Sequence, residues 1–213
     1  MIMYPSSPVE FDSLIFEDAP WELYEAFLKS YDEAPSRISY DRGKMEVVMM
    51  LSAEHEGYRA FLGAMLECIF AARRTRVARR GSTTLKQQEL ARGLEADHCY
   101  WIANAAAVRG VRRIDLTIHP PPDLVIEVDV THSAVDRESI YTALGVPEMW
   151  QYARQTGLTA WANKNGRWDR IDASVSIPGL PVNELNPFLT RFAADEDEND
   201  ILDDLRAWLA ALP

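Results

Sequence analysis

A chain of 213 residues with a net charge of −11 is sized for one domain with a substantial core, and its acidity argues against a protein that coats nucleic acid through bulk electrostatics. No apolar run approaches the roughly 18–20 residues of a membrane span. The first residues include Glu10, Asp12, Glu17 and Asp18 rather than a basic-then-apolar leader, so a cytoplasmic location is expected.

Residues 20–31 place Trp21, Tyr24, Phe27 and Leu28 at helical spacing behind a proline suited to a first turn. Residues 37–40 and 44–51 read as two strands joined by the turn Asp41-Arg42-Gly43, and Glu46 is an acid set among apolar neighbours on the second. Ser52 is placed to cap a helix, with Glu54 and Glu56 in the favourable first turn beside His55. From Tyr58 to Phe70 the apolar residues recur at three and four, which predicts a broad buried face on a helix ending near Arg74.

A β-rich piece from Arg79 to Leu85 contains Gly81-Ser82-Thr83-Thr84 and is followed by Lys86. Residues 93–102 read as a second acidic strand, with Glu95, Asp97, Cys99 and Trp101 on one face and His98 on the other. Cys99 and Cys68 lack CxxC spacing, which suggests neither a zinc site nor a disulfide framework. Arginines cluster at 73, 74, 76, 79 and 80 and again at 109, 112 and 113; these are solvated faces or phosphate contacts. Residues 104–115 read as a connection with a short helix.

Pro120-Pro121-Pro122 blocks helix and sheet alike, so a strand starts only after it. Leu124, Val125, Ile126, Val128 and Val130 have the composition of a strand buried on both faces. Alternation puts Asp123, Glu127 and Asp129 on the face of Val125. Carboxylates side by side in a core element need positive charge or shared protons, supplied either by arginines or by a divalent metal. Ser133 is placed to cap a helix over 134–144 that stops at Gly145. A strand at 149–152, a hairpin over 158–171, a short segment at 186–192 and an amphipathic helix at 201–212 complete the chain. The pattern is α+β (α/β) around one mixed sheet, a single domain over 1–213 with an acidic helical tail from about residue 193.

The segments Pro121-Pro122-Asp123-Leu124-Val125-Ile126-Glu127-Val128 and Gly145-Val146-Pro147-Glu148-Met149-Trp150 resemble the Uma2 family, also called DUF820, of restriction-endonuclease-like proteins. The stretches around Tyr40-Asp41-Arg42-Gly43, Ser52 to Glu56, Gly81 to Thr84 and Gly93 to Asp97 support the resemblance in the right order. It implies a bacterial, frequently homodimeric protein of the PD-(D/E)XK nuclease-like class, with a four- or five-stranded mixed sheet flanked by helices. It also implies a Mg²⁺- or Mn²⁺-dependent, type II restriction-like hydrolase acting on DNA phosphodiester bonds.

Carried over by position, Asp97 and Glu127 are the metal-binding and catalytic acids, Asp123 and Asp129 further metal candidates, and Glu46 or Glu54 an additional acid. The motif lysine expected two residues after the second acid is replaced by Asp129. Lys86 is then one substitute. Arg137 is the other, at the place on the following helix where many relatives carry lysine. Arginine stays protonated, so it can stabilise charge but not act as a base. The missing lysine leaves an alternative expectation, a catalytically silent nuclease-like fold serving as a dimeric binding or regulatory module.

Overall fold

The computed structural model describes residues 13–30, 37–48, 52–129 and 134–212. Its strands fall into two sheets where the sequence pattern pointed to one. The first is antiparallel throughout: β1 (Ser13–Phe16), β2 (Arg37–Asp41), β3 (Lys44–Val48), β5 (Thr83–Gln87) and β6 (Arg92–Ala96), in the order β1-β3-β2-β6-β5. The second comprises β4 (Ala78–Arg80), β7 (His98–Trp101), β8 (Leu124–Asp129), β9 (Glu148–Ala153), β10 (Gly157–Lys164) and β11 (Arg167–Ile171). Its order is β11-β10-β9-β8-β7-β4. It is mixed, as expected, but six strands wide rather than four or five, with β8 and β9 parallel and the other pairs antiparallel.

Residues 93–102 do not run as one strand. Arg80 pairs with Cys99 and Thr83 with Ala96, so residues 78–101 form one long hairpin that bends between those pairs. Its arms start in the second sheet and end in the first. Asp97 is the single residue between β6 and β7, and its side chain is fully buried. No glycine or proline marks that break on the Asp97 arm.

Five described helices cover the sheets. α1 (Trp21–Ser30) packs on the first sheet, where Tyr24, Ile38, Tyr40, Met45 and Val47 form a small core. α2 (Ala53–Ala72) starts as expected, with the Ser52 hydroxyl accepting from the His55 amide at 3.0 Å. Its periodic face (Phe61, Leu62, Met65, Ile69) meets Leu124, Ile126 and Val128 of β8, each buried side chain contributing about 1.5–3 kcal/mol.

α3 (Arg137–Ala143) connects the parallel strands β8 and β9. Its cap is Asp136, whose carboxylate accepts from the Ser139 amide at 3.0 Å; the expected cap, Ser133, lies outside the described residues. Residues 186–192 form a helix, α4 (Asn186–Ala193), with proline in its first turn. α5 (Glu198–Ala211) lays Ile201, Leu205 and Leu209 against the α2 core.

Candidate functional site

The bend at Asp97 faces three other elements: the start of β2, the first turn of α2 and the middle of β8. On β8 the predicted alternation holds. Leu124, Ile126 and Val128 turn to α2, while Val125 joins the opposite core and Glu127 faces α3. Oε1 of Glu127 accepts from Arg137 at 2.7 Å and from the Tyr141 hydroxyl. Those two residues are four apart on α3 and so share one face of it. Arg137 also donates to the Glu95 carbonyl at 2.8 Å and to the Ser39 hydroxyl at 2.8 Å, tying α3 to both β6 and β2.

Asp97 uses Oδ2 to accept from the Val128 amide at 2.8 Å, stitching the bend to β8. Its Oδ1 is ion-paired with Arg37, the first residue of β2. The same guanidinium lies 3.8 Å from Oε2 of Glu127 and 3.0 Å from Nε2 of His55, and only 12% of the Arg37 side chain is exposed. His55 Nε2 is 3.4 Å from Asp97 Oδ2. Two carboxylates and two guanidiniums are thus closed into one buried cluster. Such ions are costly to desolvate singly and are tolerated because each has a partner.

The electrostatics follow from that burial. Desolvation works most strongly against the charge on Arg137, but Glu127 and Tyr141 together outweigh it and the net shift is upward. Arg37 is pulled down by burial, with Glu127 opposing. Burial pushes the Tyr141 hydroxyl well up, and Glu127 adds to the push. Glu95 is also raised by burial, although its carboxylate accepts from the Ile38 amide at 3.2 Å and the Thr84 hydroxyl at 3.3 Å.

His55 and His98 are both lowered, first by burial and then, for His55, by Arg37. An imidazole depressed on folding binds fewer protons folded than unfolded, so its contribution is intact above the unfolded value of about 6.5. It is lost as pH falls through the folded value. Urea midpoints at pH 7 and pH 5 are therefore expected to drop less in His55→Gln than in the parent chain. An equal drop in both would remove His55 from the account.

Asp97, Glu127 and Arg137 are brought together, while Asp123, Lys86 and Glu54 are placed elsewhere. Asp123, at the far end of β8, accepts from the Ile102 amide at 2.6 Å and from Asn104 at 3.3 and 3.1 Å, which makes it a cap for the loop after β7. Lys86 is on β5 and reaches Glu25 of α1 at 2.5 Å. Glu54 pairs with Arg154 at 2.9 Å on the surface. Glu46 is buried, pairs across the ladder with Ser39, and accepts from the Ala134 amide at 3.0 Å, which sets it at the rim of the cluster. The Asp129 side chain lies outside the described residues. Of the arginine clusters, Arg73 is spent on the Gly179 carbonyl and Arg80 on that of Val111, while Arg74, Arg76, Arg109, Arg112 and Arg113 are exposed.

Arg37, Ser39 and Tyr141 enter the site without having been singled out. Tyr141 was recoverable from its spacing to Arg137. Arg37, heading a strand of buried residues, carried a weaker signal.

A nuclease site of the expected kind holds a divalent ion between its carboxylates. The point on which Asp97 Oδ1 and Glu127 Oε2 converge does suit a cation, but the cation there is the Arg37 guanidinium. Among the described residues, no three acidic, histidine or cysteine side chains come together as a ligand set. With Arg37 in place, a metal does not fit.

The family model Uma2, described as "Putative restriction endonuclease", matches residues 21–187. Among solved structures, the chain is similar to one described as a "putative nuclease belonging to DUF820" from Anabaena variabilis. The two share 14% identity over 79% of this chain and 90% of that one, with a TM-score of 0.47. No curated protein matches. None of the described helices is long and apolar enough to cross a membrane.

Proposed function

Because this chain belongs to the Uma2 family of putative restriction endonucleases, we propose that the cluster around Asp97 and Glu127 is the centre of an endonuclease acting on DNA phosphodiester bonds. The observation that carries this reading is the meeting of two carboxylates, from the bend between two sheets and from β8, on one cationic position. Mg²⁺ or Mn²⁺ is the ion that the family resemblance implies, but the position it would take between the two carboxylates is held by Arg37, so no step is assigned to it.

The protein's own groups have separable tasks. Arg137 keeps its charge and cannot serve as a base; it orients Glu127 and offers positive charge to a phosphate. Tyr141 fixes the second bond to the same carboxylate oxygen. His55, held neutral by burial, is the group beside Asp97 able to accept a proton.

Plasmid nicking in Mg²⁺ and in Mn²⁺ tests this. Glu127→Gln, which keeps the shape of the side chain, is expected to lower nicking by at least about 100-fold, while Glu54→Ala leaves it unchanged. Undiminished nicking in Glu127→Gln would overturn the assignment. A parent chain that binds DNA but nicks in neither ion favours the silent binding module, a reading supported by the two-against-two balance of arginines and acids. A homodimer and a cytoplasmic location belong to the same proposal, and sedimentation checks the first.

A further inference from the structure

In a chain with 33 acidic residues and a net charge of −11, nearly every described arginine has found a carboxylate, from Arg42 with Asp41 to Arg206 with Asp203. Arg73 and Arg80 donate to backbone carbonyls instead. Arg74, Arg76, Arg109, Arg112 and Arg113 have neither kind of partner. All five are exposed, and among the described residues no carboxylate comes within ion-pair distance of any of them. Arg170 on β11 is the one other arginine left so.

The fold gathers the five at one place. β4 is the outer strand of the second sheet, and Arg74 and Arg76 lie on the connection that leads into it from α2. Its neighbour β7 ends at Trp101, opposite Ala78, and the chain then passes through a short helical turn at Ala105–Val108 to Arg109. The Arg80 guanidinium of β4 donates to the carbonyls of Val108 and Val111, and the Val108 side chain is fully buried. Two basic stretches far apart in sequence are thereby fixed to one sheet edge. Asp115, the next acid along the loop, is engaged by its own turn, accepting from the Thr117 amide at 2.9 Å and hydroxyl at 2.6 Å.

We propose that this edge is a contact surface for duplex DNA, made to phosphates and independent of sequence, and lying outside the Asp97–Glu127 cluster. It rests on the preceding reading only for the partner being DNA. Guanidiniums with free forks match phosphate oxygens in pairs, and phosphate contacts position a duplex without reading its bases. The acidic remainder of the surface repels phosphate and restricts the contact to this edge. The four residues of β7 separate it from Asp97 by roughly 13 Å, so a duplex is held there without consuming any group of the cluster.

The test is fluorescence anisotropy of a short labelled duplex with the full chain in EDTA. The parent is expected to bind, more weakly as salt rises, and to bind duplexes of unrelated sequence alike. Arg109→Gln, Arg112→Gln and Arg113→Gln combined are expected to weaken binding at least about tenfold. They should also flatten the log–log salt dependence by about 2–3, each phosphate contact contributing about 0.9. Arg74→Gln with Arg76→Gln should flatten it by about 1–2, and Arg170→Gln should change neither quantity. Thermal transitions are expected to match the parent's, because none of these side chains has an internal ion pair or hydrogen bond. A parent that does not bind at low salt, combined variants that keep its salt slope, or an equal loss in Arg170→Gln overturns the proposal. So do phosphatidylserine vesicles that take up the parent and not the triple variant while both bind the duplex alike, which would make the edge a membrane contact. Duplex binding kept in Glu127→Gln and lost in the triple variant supports this inference even if no chain nicks. Nicking lost in Glu127→Gln, with binding and nicking both kept in the triple variant, would remove this inference and leave the hydrolytic one.

Discussion

Exchanging Arg137 for methionine is expected to lower the unfolding free energy by about 3–5 kcal/mol, the usual cost of leaving one member of a buried ion pair alone. Glu127 would keep the Tyr141 hydroxyl, but its nearest cation would be Arg37 at 3.8 Å. Ser39 and the Glu95 carbonyl would lose a charged donor at the same time, and with it the link from α3 to β2 and β6. Arg137→Lys should cost less, about 1–2 kcal/mol, because an ammonium can follow Glu127 but cannot span three acceptors with a rigid fork. Urea denaturation at pH 7 measures both. A methionine variant within about 1 kcal/mol of the parent would mean that Glu127 is neutral in the folded protein and needs no partner.

Asp97→Ala should have an effect of similar size for a different reason. Its carboxylate both neutralises Arg37 and accepts from the backbone of β8. Alanine strands a buried guanidinium and an amide together, at about 3–5 kcal/mol. The distinguishing readout is local: hydrogen exchange at the Val128 amide should rise more than at Ile126, which is next to it on the same face of β8. Uniform loss of protection along β8 would instead indicate that the bend contributes only to global stability. Asp97→Asn, retaining an acceptor for Val128 but no charge for Arg37, should restore the amide and little of the stability.

The sequence made some of this plain and hid the rest for physical reasons. β8 was legible because a strand buried on both faces must be apolar and β-branched, and alternation then dictates where Glu127 points. The need for positive charge beside that acid was equally legible. Arg137 was legible as one source, but the other was not, because the ion pair between Arg37 and Asp97 is set by tertiary contact across 59 intervening positions and no periodicity records it. The division of residues 93–102 between two sheets was hidden for a related reason. The bend is held by the Asp97 side chain bonding to β8 rather than by a glycine or proline. The start of α3 was misplaced because two capping residues lie close together, and Asp136 is the one whose carboxylate meets an open amide.

One consequence follows from Asp97 being the only residue between β6 and β7. Arg37 rides on one sheet and Glu127 on the other, so the gap between them reports the angle at which the two sheets meet. Anything that tips the first sheet by a few degrees, a second chain on its edge or a duplex laid across it, acts at that elbow as on a lever. It would widen or pinch the gap between Arg37 and Glu127 from a distance, without touching a single group inside.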